Sequence, residues 1–146
     1  MDRRDFIRLG LAGSIAGAVL PQRLLAEEDC TSMAGGLYYT QEKPGRWVKK
    51  VSSHLPKLEQ LVGAGDRVVI KVTTDHPQVA YKHYIVKHQL LDASYQFLGE
   101  KMFNPEKDDP VSEFTLPGNY KGMVYALSLC NRHDLWLHGM EVCNGS

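Results

Sequence analysis

Beyond residue 30 the chain never holds an apolar period of helical spacing over eleven or more residues. Short alternating or β-branched runs recur instead, cut by turn-forming residues. "RWVKKV" is the first strand candidate. "RVVIKVTT" follows the turn signal "GAGD", and "YKHYIVKHQLL" is rich in Tyr, Ile and Val. "YQFLGEKMF" alternates apolar and polar residues, and "NPEKDDP" has a loop's composition. "VSEFTL" and "MVYALSL" flank the turn "PGNYKG". Strands this short and this closely spaced predict an all-β fold, an antiparallel β-sandwich of about seven strands.

The N-terminus does not fit that pattern. "MDRRDFIRLG" carries Arg3 and Arg4 side by side, with Phe6 after them, and "LAGSIAGAVL" is a Gly- and Ala-rich apolar run too short to span a bilayer. This reads as a twin-arginine export signal over residues 1–26, cleaved after Ala26. An N-terminal extension over 27–46 and one β domain over 47–146 would follow. The expected location is the periplasm or another exported compartment, with no membrane association after cleavage. The twin-arginine route carries folded proteins, often with a cofactor already in place. Without residues 1–26 the chain keeps 13 Lys and Arg against 15 Asp and Glu, so any attraction for an anion has to be local. No basic stripe interleaved with aromatics is present, which argues against nucleic-acid binding.

Histidine and cysteine fall at the edges of the expected strands. His54 lies in "SSHLP", His76 in the turn "TDHP", and His83 enters the strand "YKHYIVKHQLL". Cys130 and His133 lie in "CNRHDLW", at the end of an apolar strand. Side chains two apart share a strand face, so His83 should lie with Ile85 toward the interior and His88 on the opposite face. His138 falls in what reads as a polar tail. Taken singly, each of these residues has an ordinary reading as a loop histidine, a hydrogen-bonded strand histidine or a small buried thiol. Together they offer four imidazoles and one thiolate. Such a set suits zinc, copper, iron or nickel, and five donors exceed the four of a closed structural zinc site. Four imidazoles with one axial thiolate would hold a redox iron and leave a sixth position open.

"HLP", "HP…HYI" and "CNRHDLW" occur in an order that resembles the superoxide reductases, the desulfoferrodoxin and neelaredoxin family, over about residues 47–138. The resemblance implies an immunoglobulin-like β-sandwich and one mononuclear non-haem iron. Its ligands would be His54, His76, His83 and His133 in a plane, with Cys130 axial. It implies reduction of superoxide to hydrogen peroxide, with the electron restored by a donor protein that the sequence does not identify, and it leaves room for a homo-oligomer. The family's additional four-cysteine iron domain is missing, since no Cys-x-x-Cys pair occurs. An iron-binding electron carrier, or a sensor or binding module without fast superoxide chemistry, is the alternative on the same fold.

Three departures from the family pattern bear on that choice. Ser52 and Ser53 stand where a Glu-Lys pair usually precedes the first histidine, so the steering lysine would have to be Lys49, Lys50 or Lys57, with Lys50 the first choice. His76 and His83 are one residue further apart than usual, which implies a longer hairpin or a bulge. Asp134 replaces a glycine after the last histidine, which predicts a positive φ there and puts a negative charge beside the metal. Cys30 and Cys143 remain, and export makes a disulfide between them the expectation. Tyr38 and Tyr39 are expected to pack on the sandwich edge.

Overall fold

The computed structural model describes residues 33–143. The expected export signal and its cleavage site, and Cys30 with the disulfide expected for it, lie outside the described residues. Seven strands follow a helical entry: the 3-10 segment Gly45–Lys50 and the single turn α1 (Val51–His54) precede β1 (Lys57–Val62), β2 (Val68–Thr73), β3 (Ile85–Asp92), β4 (Phe97–Met102), β5 (Val111–Leu116), β6 (Gly122–Cys130) and β7 (Asp134–Val142).

All the pairings between these strands are antiparallel, in two sheets ordered β1-β2-β5 and β4-β3-β6-β7. This is the expected sandwich. It has immunoglobulin-like connectivity in which the fourth strand stays beside the third instead of crossing to the smaller sheet. One apolar cluster joins Val68, Ile70, Val72 and Leu116 of the first sheet to Leu90, Val124, Ala126 and Val142 of the second. Ile70, Val72, Leu90 and Val124 are fully buried, each contributing about 1.5–3 kcal/mol by leaving water.

The inward faces change character along the strands. From β2 into the segment after it, the buried residues run Val68, Ile70, Val72, Thr74, His76. Along β6 they run Val124, Ala126, Ser128, Cys130. The sandwich therefore grades from an apolar layer, through a layer of hydroxyls, to nitrogen and sulfur at one end. Antiparallel pairing explains why so many donors meet there. The starts of β1, β3 and β7 and the ends of β2 and β6 all lie at that end, as the pairs Lys57–Thr73, Ile85–Cys130 and Cys130–Asp134 show.

Three expectations need correction, and one strand was not anticipated. "RWVKKV" is helical, not a strand: its apolar residues do not alternate, and Trp47 and Val51 stand four apart, as one side of a helical turn requires. "KLEQLV" forms β1, although only half of its positions are strongly apolar. His138 is not in a tail but in β7, opposite Ala126. His88 points inward, because the register shifts between Ile85 and Lys87 and reverses the alternation. Tyr39 packs on the sandwich edge as expected. Its backbone bonds to Leu135 and Leu137 of β7, and its ring lies 5.7 Å from that of Trp136.

Candidate metal centre

His54 closes α1, and its position follows from that turn. With Nε2 directed into the site, Nδ1–H donates to the Lys50 carbonyl (3.2 Å) and to Ser53 Oγ (2.8 Å). Ser53 in turn donates to the same carbonyl (3.3 Å). These bonds fix the tautomer that leaves the Nε2 lone pair free. The fully buried Trp136 ring lies 5.9 Å from the His54 ring, and its indole N–H donates to the His133 carbonyl (2.9 Å). One tryptophan thus supports two histidines.

The loop before β3 is held from across the sheet. The Asn131 backbone N–H donates to the Tyr84 carbonyl, and its side-chain oxygen accepts from the Tyr84 N–H (3.0 Å). Its amide nitrogen donates to the carbonyls of Tyr81 and Lys82, both at 3.3 Å. The chain on either side of His83 is therefore tied to the turn that carries Cys130 and His133. Gln78 accepts from the Ile85 N–H (2.9 Å) and closes the other side of the same loop.

These supports bring all five expected side chains together. One donor atom from each of His54, His76, His83, Cys130 and His133 lies within 4.8 Å of every other. Successive nitrogens are 3.0 Å apart, from His54 Nε2 to His133 Nδ1, to His83 Nε2, to His76 Nε2. Neighbouring rings stand edge to face, at 68° to 88°. Nitrogens held at right angles about 2.1 Å from one ion stand about 3.0 Å apart, which these three spacings match, and imidazole holds a first-row ion such as zinc at about 2.0–2.1 Å. Cys130 Sγ lies 3.9 Å from His76 Nε2 and 3.7 Å from His133 Nδ1. Four nitrogens that crowd one another without a protein partner between them fit a cation at their centre.

The electrostatics agree. Burial pushes the His54 imidazolium pKa down to about 3 and that of His76 to about 4, and neighbouring histidines add to both shifts. His83 and His133 are lowered too, first by burial and then by nearby charges. All four rings are held neutral, the form in which imidazole binds a metal. Burial raises the Cys130 thiol, so its thiolate calls for a cation beside it.

Among the three candidate lysines, Lys57 is paired with Asp75 and Lys49 is exposed. Lys50 is half-buried, and its positive charge acts on both His83 and His133. Arg132 adds a second positive charge felt by the same two rings. Asp134 has the expected positive φ, 61°. Its carboxylate is not a free negative charge: Arg46 Nη2 donates to Oδ2 at 2.5 Å and the Trp47 indole N–H at 2.8 Å, and together they hold its pKa below the usual range. The parts of the site that sequence did not single out are Arg46, Trp47, Gln78 and Asn131. Only Asn131 carried a signal, by lying inside "CNRHDLW".

The desulfoferrodoxin family profile matches residues 46–139. A superoxide reductase of Pyrococcus abyssi is 32% identical over 112 residues, covering 68% of this chain and 94% of the relative. One from Thermococcus kodakarensis is 33% identical over 106 residues, covering 64% and 89%. The solved superoxide reductase (neelaredoxin) of Ignicoccus hospitalis superposes with a TM-score of 0.61 at 28% identity, covering 74% of this chain and 95% of that one. With its seven-strand sandwich and its single cluster of four histidines and a cysteine among the described residues, this chain belongs to the desulfoferrodoxin family.

Proposed function

We propose that the protein is an exported mononuclear iron superoxide reductase, whose iron would be held by His54, His76, His83, Cys130 and His133. The observation that carries this reading is the run of 3.0 Å spacings among four neutral imidazoles, with one thiol against them. When bound, iron supplies the one electron that turns superoxide, with two protons, into hydrogen peroxide.

The chain's own residues do the rest. The bonds of Lys50, Ser53, Asn131 and Trp136 hold the imidazoles in place, so little reorganisation accompanies reaction. Lys50 supplies the local positive charge that draws a small anion to a protein of slightly acidic balance. It takes over the task of the lysine absent at Ser53. Pairing with Arg46 removes the repulsion that a bare Asp134 carboxylate would exert on superoxide. The twin-arginine reading of residues 1–26 supports an exported site of action, and the electron would come from a separate donor protein.

The test is to load the protein with ferrous iron and follow superoxide. Rapid loss with peroxide formed and no dioxygen released supports the assignment. Iron bound at one per chain with negligible superoxide loss would replace it with the electron-carrier or sensor alternative.

A further inference from the structure

Asp134 is an expensive choice for its position. Its φ of 61° is left-handed backbone, where a glycine would be unstrained, and its charge sits one residue from a donor histidine. The 3-10 segment Gly45–Lys50 is weak by itself: it has no side-chain cap and buries no residue. Each feature accounts for the other. The Asp134 carboxylate accepts from Arg46 and Trp47 in that segment, across 88 and 87 positions of sequence. The Trp47 ring stands edge-on to His133, centroids 4.7 Å apart at 86°, and the Arg46 guanidinium lies 5.1 Å over the Trp47 ring.

We propose that Asp134 is a positioning residue that, through Arg46 and Trp47, clamps the 3-10 segment against His133 and so fixes Lys50 beside the metal centre. The segment is tied at two places, Asp134 near its start and His54 just beyond its end, and Lys50 lies between them. At the far end the Lys50 carbonyl accepts from His54 Nδ1–H at 3.2 Å, so the residue is tied to a donor histidine. That tie keeps Lys50 at the metal end, which agrees with the positive charge that His133 and His83 feel. The inference rests on Lys50 as the steering charge for its functional meaning, whereas the clamp itself is a separate structural claim.

Asp134→Gly removes the clamp and also relieves the strained backbone. Backbone hydrogen exchange at residues 46–50 in metal-free protein should rise about tenfold or more, as expected for loss of a charge-assisted bond that holds an otherwise uncapped segment. The Trp47 indole N–H resonance should move, and Asp134→Asn, which keeps an acceptor, should fall between. In iron-loaded protein, Lys50→Gln should flatten the salt dependence of superoxide loss in the wild-type background and change nothing further in Asp134→Gly. Unchanged exchange and an unchanged indole signal in Asp134→Gly would overturn the clamp. If that variant fails to take up metal, the double variant Arg46→Gln with Trp47→Phe leaves the hairpin backbone untouched. The same rise in exchange there upholds the proposal, and no rise overturns it. Should Lys50→Gln leave the wild-type salt dependence unchanged, the steering role fails while the exchange result still decides the clamp.

Discussion

His88 and His54 are both buried, and burial drives both imidazolium pKa values down to about 3, yet they belong to different parts of the molecule. His88 lies between the sheets, with Nε2 at 2.9 Å from Thr74 Oγ1 and Nδ1 at 2.8 Å from Ser112 Oγ, while Thr74 reaches Ser128 at 2.9 Å. Each nitrogen of His88 has a hydroxyl partner. His54 has partners on Nδ1 only, and its Nε2 faces another imidazole at 3.0 Å. A buried polar group with complete partners holds two sheets in register, whereas a set whose free lone pairs face one another is built around something else. Burial and pKa shift are alike in the two histidines, so what each second nitrogen meets distinguishes a structural residue from a ligand.

The sharpest way to break this comparison is to exchange the consequences. His76→Ala should lower iron affinity by more than about 100-fold, beyond what outer-shell changes cause, with the sandwich still folded. Metal titration followed by circular dichroism checks both halves. His88→Ala should do the reverse. Iron uptake should persist at one per chain, while stability falls by about 2–4 kcal/mol as a cavity opens, Ser112 loses its imidazole partner and Thr74 keeps only Ser128. Denaturant unfolding measures that loss, and equal effects on both properties from either variant would collapse the distinction.

Asn131→Ala probes the link between the two sides of the metal end. It releases the loop that carries His83 without removing a donor, so iron affinity should fall by about 10-fold, the low end for an outer-shell support. The last test concerns acid. The His88 pKa is depressed, so its unfolded form takes up a proton first as pH falls. The stability it gives is complete above about pH 6.5 and is lost as pH drops toward about 3, at about 1.4 kcal/mol per pH unit. In metal-free protein, His88→Gln should reduce the slope of stability against pH in that window by one proton. An unchanged slope would mean that His88 titrates freely.

Much of the metal end was legible because its donors sit where strands begin and end, and short antiparallel strands bring those ends together. The positive φ at Asp134 was legible because it stands where the resembled family has a glycine. The entry to the site was not. "RWVKKV" contains strand-forming residues, but Trp47 is bonded to Asp134, 87 positions away, and sequence does not display that partner. The same distance hid the fate of the Asp134 charge, which Arg46 neutralises. The facing of His88 was lost to a single register shift at Ile85–Lys87, because one extra residue inverts the alternation that follows. β7 read as a tail because Gly139 and His138 interrupt it. At Gly139 a Cβ would stand 2.9 Å from the Tyr125 ring and force it to shift, and His138 bonds to the Pro56 carbonyl at 2.8 Å.

The central claim is that five donors, from α1, the loop between β2 and β3, and the end of β6 with the turn after it, converge on one iron, with sulfur among them. X-ray absorption at the iron edge of the loaded protein addresses it most directly. The account predicts one iron per chain with four nitrogen neighbours and one sulfur, the sulfur vanishing in Cys130→Ser. An iron surrounded by oxygen and nitrogen alone in the unaltered protein would contradict it.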